Sequence, residues 1–164
     1  MSVDRRVRAL ASRIGVPLHS QPRKRTWTGR SLATDGRPDT DVIHDLAHWL
    51  VVPPSRRMRP DYGLGADPSS DARSIRRVGW RLAEDEEREA SLLGILIERA
   101  IGMDWLETAR DHNWEVILGE EEDDYRPLPP DSALAALLAT PAGRALLARG
   151  LVMSDGSVPV AEGL

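Results

Sequence analysis

The sequence predicts a mainly α-helical fold, α+β at most, in one compact domain that covers residues 1–164. Apolar residues recur at helical spacing in several stretches, and most of these stretches end at Gly or Pro. The composition, with 41% hydrophobic and 29% charged residues, is that of a globular protein. Because the chain contains no Phe, Leu, Ile, Val and Ala must fill most of the core. A chain of 164 residues is long enough for one such core.

The first half of the chain is expected to contain two helices and two loops. Helical spacing predicts the first helix over 3–14, and the stretch 19–40 predicts a loop or a short strand around Trp27. A second helix is predicted over 42–52, where a pair of prolines ends it. The long irregular stretch 53–74 is predicted to be a functional loop, because loops of this length in a small domain usually carry function or are disordered.

The second half is expected to be helical at both ends, with a connector between. A strong helix is predicted over 78–101 and a shorter one over 104–114. Residues 119–130 form an acidic, proline-rich connector. Residues 131–164 are predicted to be a helical extension in which a Thr-Pro pair at 140–141 begins the last helix. A small β element is expected at the C-terminal end.

Composition excludes several classes of site and partner. The absence of cysteine excludes disulfides, thiolate zinc sites, iron–sulfur clusters and a cysteine nucleophile, so any metal must be bound by His and carboxylate. No window approaches the ~20 apolar residues of a membrane span, so we expect a cytoplasmic protein with no membrane partner. Residues 1–37 hold nine Lys/Arg against two Asp, but no recognition motif accompanies this charge, and nucleic acid is not an expected partner. Nothing in the pattern indicates an oligomeric state.

Two histidines carry the chemistry of the second helix. His44 and His48 are four residues apart, about 40° on a helical wheel, so both imidazoles can reach one point in space. They lie at the edge of the apolar face, with Asp41 and Asp45 beyond them. This spacing is typical of metal ligands, and Asp41 is a candidate helix cap.

A third ligand is expected from the helix over 78–101. On a wheel with Leu82 at 0°, Glu86 and Glu89 fall within the apolar sector, whereas the other glutamates of this helix, Glu84, Glu87 and Glu98, point away. A carboxylate on a buried face is costly unless it is paired or binds a cation. The predicted ligands are therefore His44, His48 and Glu89, with Glu86 as the substitute for Glu89.

Asp45 bears on the choice between two metals. Two histidines and a carboxylate suit non-haem Fe(II), and in tetrahedral geometry they also suit catalytic Zn(II). In the zinc peptidase motif His-Glu-x-x-His the Glu is the general base, but here that position is Asp45, whose carboxylate is shorter by about an angstrom. Fe(II) is therefore favoured and Zn(II) is the alternative.

The segment from His44 to Gly63 resembles the elongation factor P hydroxylase family. His44-Asp45-x-x-His48-Trp49, then Arg56-Arg57, then Asp61-Tyr62-Gly63 stand where the family has His-Glu-x-x-His-Trp, Arg-Arg and Asp-Phe-Gly. The Glu-x-x-Glu spacing of 86–89 resembles the family's downstream acidic segment.

This resemblance implies a metal-dependent hydroxylase of a protein or peptide side chain. Asp45 and Tyr62 are then the candidate catalytic side chains, and Arg56, Arg57 and Asp61 are candidates for binding substrate or for holding the loop as a lid. No cofactor other than the metal is expected.

Three other hypotheses stay open from the sequence. The first is a zinc hydrolase of the peptidase type, which requires Asp45 to face the metal. The second is a helical interaction module without catalysis, motivated by the uneven charge and the acidic connector. The third is a phosphohydrolase built on the His44-Asp45 pair, in which His19 is the early histidine.

Overall fold

The computed structural model describes residues 3–20, 26–64, 78–111 and 130–164, and these residues are mainly helical, as predicted. Two short strands, β1 Leu18–His19 and β2 Leu32–Ala33, form a parallel pair. The α-helices, in chain order, are α1 Arg5–Arg13, α2 Asp39–Val51, α3 Pro54–Arg57, α4 Trp80–Ala100, α5 Trp105–Asp111, α6 Pro130–Ala139 and α7 Pro141–Ala148.

Helices α2 and α4 form the centre of the fold. They pack against each other more extensively than any other pair of elements, while α5 and α7 pack on α4 and α1 packs on α2. Residues 90–98 of α4 are all buried. At Gly94 a Cβ would lie 3.6 Å from the Cα of His44, so the two backbones approach closely there. A side chain larger than Ala at this position would force the helices apart.

The core is aliphatic, as the composition predicts, and it surrounds one indole. Trp27 is 1% exposed and is the largest fully buried side chain of the described residues. The largest of the other fully buried side chains are all Leu or Ile, among them Leu46, Leu93 and Ile97. Trp27 lies between β1 and β2 in the chain and forms an isolated bridge to Leu32. The short strand expected around Trp27 is therefore replaced by two short strands, one before and one after this residue.

The helix start that depends on a capping hydrogen bond agrees best with the prediction from the sequence. The hydroxyl of Thr140 accepts a hydrogen bond from the Gly143 amide (3.0 Å), so it caps α7 as the Thr-Pro pair predicts. Helix α2 begins at Asp39, three residues before the predicted start. Asp41 is therefore not a cap: it lies in the first turn, where its charge favours the positive end of the helix dipole.

The small β element was predicted at the wrong end of the chain. Among the described residues the sheet lies within 18–33, and residues 151–164 form turns and a 3₁₀ helix, Pro159–Ala161. The Gly156 amide donates to the Met153 carbonyl and closes a tight turn, but only one further bond, from the Met153 amide to the Ser157 carbonyl, follows it. Pro159 has no amide hydrogen to extend such a ladder.

Parts of the predicted loop and connector lie outside the described residues. Within 53–64 the structure has α3 and a 3₁₀-type turn, Pro60–Gly63, whereas 65–77 are not described. The acidic connector 119–130 also lies outside the described residues except for Pro130. In the part of the chain that is described, no helix is both long enough and apolar enough to cross a membrane.

Candidate metal centre

Helix α2 places His44 and His48 side by side. Their Nε2 atoms lie 3.1 Å apart, and the two rings meet edge to face with centroids 4.7 Å apart. The apolar side chains of Ile43, Leu46 and Ala47 are fully buried and fix the rotation of the helix. His48 is consequently buried, with 5% of its side chain exposed, while 29% of the His44 side chain is exposed.

The carboxylate that meets both imidazoles belongs to Glu87 of α4. Its Oε1 lies 3.1 Å from Nε2 of His44, and its Oε2 lies 3.1 Å from Nε2 of His48. These three residues are the one group among the described residues in which three potential ligand atoms of His or carboxylate lie within 4.8 Å of one another. Two helices distant in sequence therefore contribute to one cluster.

The predicted third ligands, Glu89 and Glu86, lie elsewhere. Glu89 Oε2 accepts a hydrogen bond from Arg149 (2.6 Å). Glu86 forms a buried ion pair with Arg56. Each carboxylate is thus paired with an arginine, and such a pairing is the other way to bury a charge.

The helical wheel failed for a physical reason. Its reference residue, Leu82, is 48% exposed, and the apolar residues of 90–98 are buried on every side of α4, so they do not define one inward sector. Glu98, which was also expected to point away, is only 1% exposed. The signal that identifies Glu87 is Gly94: seven residues further on, it lies within about 20° of Glu87 on the helix, and a glycine inside a helix is often the point where another backbone comes close.

The contacts between Glu87 and the histidines shift the pKa values of His44 and Glu87. Burial acts to lower the pKa of His44, but the hydrogen bond and charge of Glu87 outweigh it, so the pKa of His44 is raised. Burial acts to raise the pKa of Glu87, but the hydrogen bonds and charges of His44 and His48 hold that pKa far below its usual range. Glu87 therefore stays ionised and is available as an anionic ligand.

The three side chains are arranged so that they could hold a divalent metal ion. A metal with bonds of roughly 2.1 Å to nitrogen and oxygen brings neighbouring ligand atoms roughly 3.0–3.4 Å apart. Here the two Nε2 atoms are 3.1 Å apart, and each lies 3.1 Å from a different carboxylate oxygen of Glu87. The Glu87 side chain is 47% exposed, so solvent reaches the cluster from its side. That open side could accept a further ligand.

Asp45 is not directed at this cluster. Its Oδ2 lies 2.6 Å from Nη1 of Arg37, in an ion pair of which both side chains are less than one-fifth exposed. Arg37 also donates to the Ala33 carbonyl (3.1 Å), so it connects β2 to α2. The sequence-based role of Asp45 as a general base therefore conflicts with its position, because an arginine already neutralises its charge.

Tyr62 is a buried residue whose hydroxyl is engaged by the backbone of α2. Its OH donates to the backbone carbonyl of Asp45 (2.7 Å), and the residue is 2% exposed. Burial raises the pKa of Tyr62, and the negative charges of Asp45 and Asp61 raise it further, so the phenol keeps its proton. The hydroxyl thereby ties the turn at 60–63 to α2.

The remaining predicted residues brace the chain after α2. The guanidinium of Arg57 lies 5.1 Å from the centroid of Trp49, and the indole of Trp27 donates to the Arg57 carbonyl (2.7 Å). Arg56 pairs with Glu86, and the Asp61 amide donates to the Trp27 carbonyl (3.1 Å).

His19 lies in β1 and is not part of the cluster, so the structure does not bring together the histidines that the phosphohydrolase hypothesis requires.

Comparison with known proteins does not assign the chain to a family. A scan against family models, a search of curated proteins and a search of solved structures each found no match. The resemblance of 44–63 to the elongation factor P hydroxylases thus stays an expectation from those residues alone.

Proposed function

We propose that His44, His48 and Glu87 bind a divalent metal ion, and that the protein is a metal-dependent enzyme. One observation carries this proposal: three metal-ligand side chains from two helices converge, with the Nε2 atoms of the histidines 3.1 Å apart and each of them 3.1 Å from one of the two carboxylate oxygens of Glu87. The leading form of the enzyme is a non-haem iron hydroxylase that acts on a protein or peptide side chain.

The donor set supports iron. Two histidines and one carboxylate with further positions open are the ligands of non-haem Fe(II) enzymes. Iron(II) held in this way supplies the activation of molecular oxygen. The pairing of Asp45 with Arg37 weakens the zinc peptidase alternative, because that reaction needs a free carboxylate at this position of the helix.

The chain's own residues have separate parts in this proposal. The buried His48 and the partly exposed His44 would bind the metal through their imidazole nitrogens, and the anionic Glu87 would lower the net charge of the loaded site. The half-exposed side of Glu87 is where a substrate would approach. Hydroxylation of a C–H bond by oxygen forms one C–O bond and one water and consumes two electrons and two protons, so an external reductant is needed.

Binding of nitric oxide to the iron-loaded protein tests this proposal. Nitric oxide occupies an open position of high-spin Fe(II) and yields an S = 3/2 resonance in electron paramagnetic spectra. We expect this signal from the anaerobically iron-loaded protein and from the control Glu89→Gln, and its loss in His48→Ala and Glu87→Gln. Iron that binds without the nitric oxide signal would contradict an oxygen-activating site, and protein that binds no iron would refute the metal centre.

A further inference from the structure

We propose that Tyr62 is a positioning residue for the metal ligand His48, held in place by a strained turn. This inference rests on the proposed metal centre. It assigns to Tyr62 a role that acts through the ring of His48 and not through the phenol's own chemistry.

The backbone around Tyr62 adopts an unusual conformation. Asp61 has φ 45° and ψ 35°, and Tyr62 has φ 55° and ψ 13°; no other non-glycine residue in the described ranges has a positive φ. Gly63 follows with φ 76°. Left-handed conformations are uncommon for residues with a side chain, and they persist only where the surroundings enforce them.

Several hydrogen bonds enforce this turn. The Tyr62 amide donates to the Arg59 carbonyl (3.0 Å), and the Tyr62 carbonyl accepts from Nη1 of Arg56 (3.4 Å). Arg56 is itself held by its ion pair with Glu86, the residue before the ligand Glu87. The phenol OH is fixed on the other side by the Asp45 carbonyl. The turn is therefore tied to both helices that carry the ligands.

The strained turn directs the Tyr62 ring onto two other rings. It stacks with His48 at a centroid distance of 5.6 Å and an interplanar angle of 23°. It also stacks with Trp27 at 5.4 Å and 8°. Trp27 is fully buried and meets Trp49 edge to face at 5.2 Å, so the stack is anchored in the core.

The stacking contact with Tyr62 matters for His48 because its ring lacks the hydrogen bond that usually fixes a metal-bound histidine. A metal-bound histidine almost always donates its second ring nitrogen to a carboxylate, carbonyl or water, which fixes the ring. Nδ1 of His48 is buried and makes no hydrogen bond to the described residues. Stacking on Tyr62 restricts the same rotation of the imidazole, and it does so without a polar partner.

Cobalt binding to ring variants separates this role from ordinary packing. We would titrate Co(II) into the wild type, Tyr62→Phe and Tyr62→Leu and record the d–d absorption bands and the thermal unfolding. Tyr62→Phe keeps the ring, so wild-type bands and affinity are expected. Tyr62→Leu should bind Co(II) at least about tenfold more weakly, as other losses of ligand orientation do, and should show altered bands.

Leu146→Ala is the control for a general loss of stability. Leu146 is fully buried in α7 and takes no part in the cluster. This variant should unfold at a lower temperature and keep the wild-type bands. If Tyr62→Leu matches the wild type in affinity and bands, the positioning role is refuted although the metal centre stands. Failure of the wild type to bind Co(II) would refute the metal centre itself.

Nuclear magnetic resonance of the wild type provides a second test if Tyr62→Leu does not fold. Stacking predicts an upfield ring-current shift for the carbon-bound ring protons of His48 relative to those of His44. Absence of that difference would also overturn the proposal.

Discussion

Three glutamates of α4 lie within four residues of one another, and each has a different partner. Glu86 pairs with Arg56 and Glu89 with Arg149, so an arginine neutralises each of them. The carboxylate of Glu87 contacts His44 and His48, and no arginine among the described residues pairs with it. A metal ion needs a carboxylate that no arginine already holds, so Glu87 is the one that suits it.

The two arginine pairs should differ in their effect on stability. Arg56 and Glu86 are both buried, and Glu86→Gln leaves the guanidinium charge without its counterion, for which we expect a loss of about 3 kcal/mol in the free energy of unfolding. Arg149 is 40% exposed, so Glu89→Gln should cost less than about 1 kcal/mol. Urea unfolding of the metal-free variants measures both values, and equal losses would contradict the assignment.

Glu98 should make stability depend on pH. Burial raises the pKa of Glu98 to about 7, against smaller lowering effects of Thr108 and the His44 charge. The folded chain then binds more protons than the unfolded chain between the ordinary pKa of 4.5 and about 7, so the free energy of unfolding falls as pH rises through that window. The loss is at most roughly 3 kcal/mol.

The difference between wild type and Glu98→Gln isolates this effect, since Gln does not titrate. Urea unfolding at several pH values from 4.5 to 8 should show the wild type losing stability relative to the variant as pH rises. A constant difference across that range would mean that Glu98 titrates normally in the fold.

At the scale of elements, the close approach of α2 and α4 forms the site. Because Gly94 faces His44, Glu87 two turns earlier reaches the histidine pair. The four-residue spacing of His44 and His48 is local, so the sequence predicted that pair. The rotation of α4 about its axis depends on which neighbouring elements cover it. Because residues 90–98 are buried on all sides of the helix, a helical wheel does not reveal which face points towards α2.

Helix ends and loops likewise differ in how far the sequence predicts them. The cap at Thr140 depends on one hydroxyl and the amide three residues away, so it was predictable. The contacts of Tyr62 depend on the left-handed turn at 61–63 and on Trp27, more than thirty residues earlier. No local pattern indicates such a contact.

Substitutions at Gly94 test the helix approach. In Gly94→Ala the new Cβ would lie 3.6 Å from the His44 Cα, an ordinary van der Waals contact, and Ala favours the helix by up to about 1 kcal/mol. We expect stability equal to or above the wild type, with metal binding retained. Gly94→Leu should separate the helices, lower the melting temperature and abolish metal binding. Retention of metal by Gly94→Leu would contradict the packing.

For the whole molecule, a bound metal would connect two distant segments of the chain. His44 and His48 precede Glu87 by some forty residues, and Arg149 from the end of α7 donates both to Glu89 and to the Val51 carbonyl at the end of α2. The guanidinium of Arg149 thus already links helices α2, α4 and α7. Metal binding should therefore stabilise the native arrangement without changing it.

Thermal unfolding with and without metal tests this linkage. Free metal at about a hundredfold above its dissociation constant should add about 2.7 kcal/mol to the free energy of unfolding and raise the melting temperature. A chelator should reverse the shift. Glu87→Gln should show little or no shift, and a shift equal to that of the wild type would place the metal elsewhere.

The most direct test of the account is the metal content of Glu87→Gln beside that of Glu89→Gln, by elemental analysis after anaerobic iron loading and removal of free metal. The two variants carry the same chemical change two residues apart on one helix. We predict near-stoichiometric iron in the wild type and in Glu89→Gln, and little or none in Glu87→Gln. Iron retained by Glu87→Gln and lost from Glu89→Gln, or absent from all three proteins, would contradict the site described by His44, His48 and Glu87.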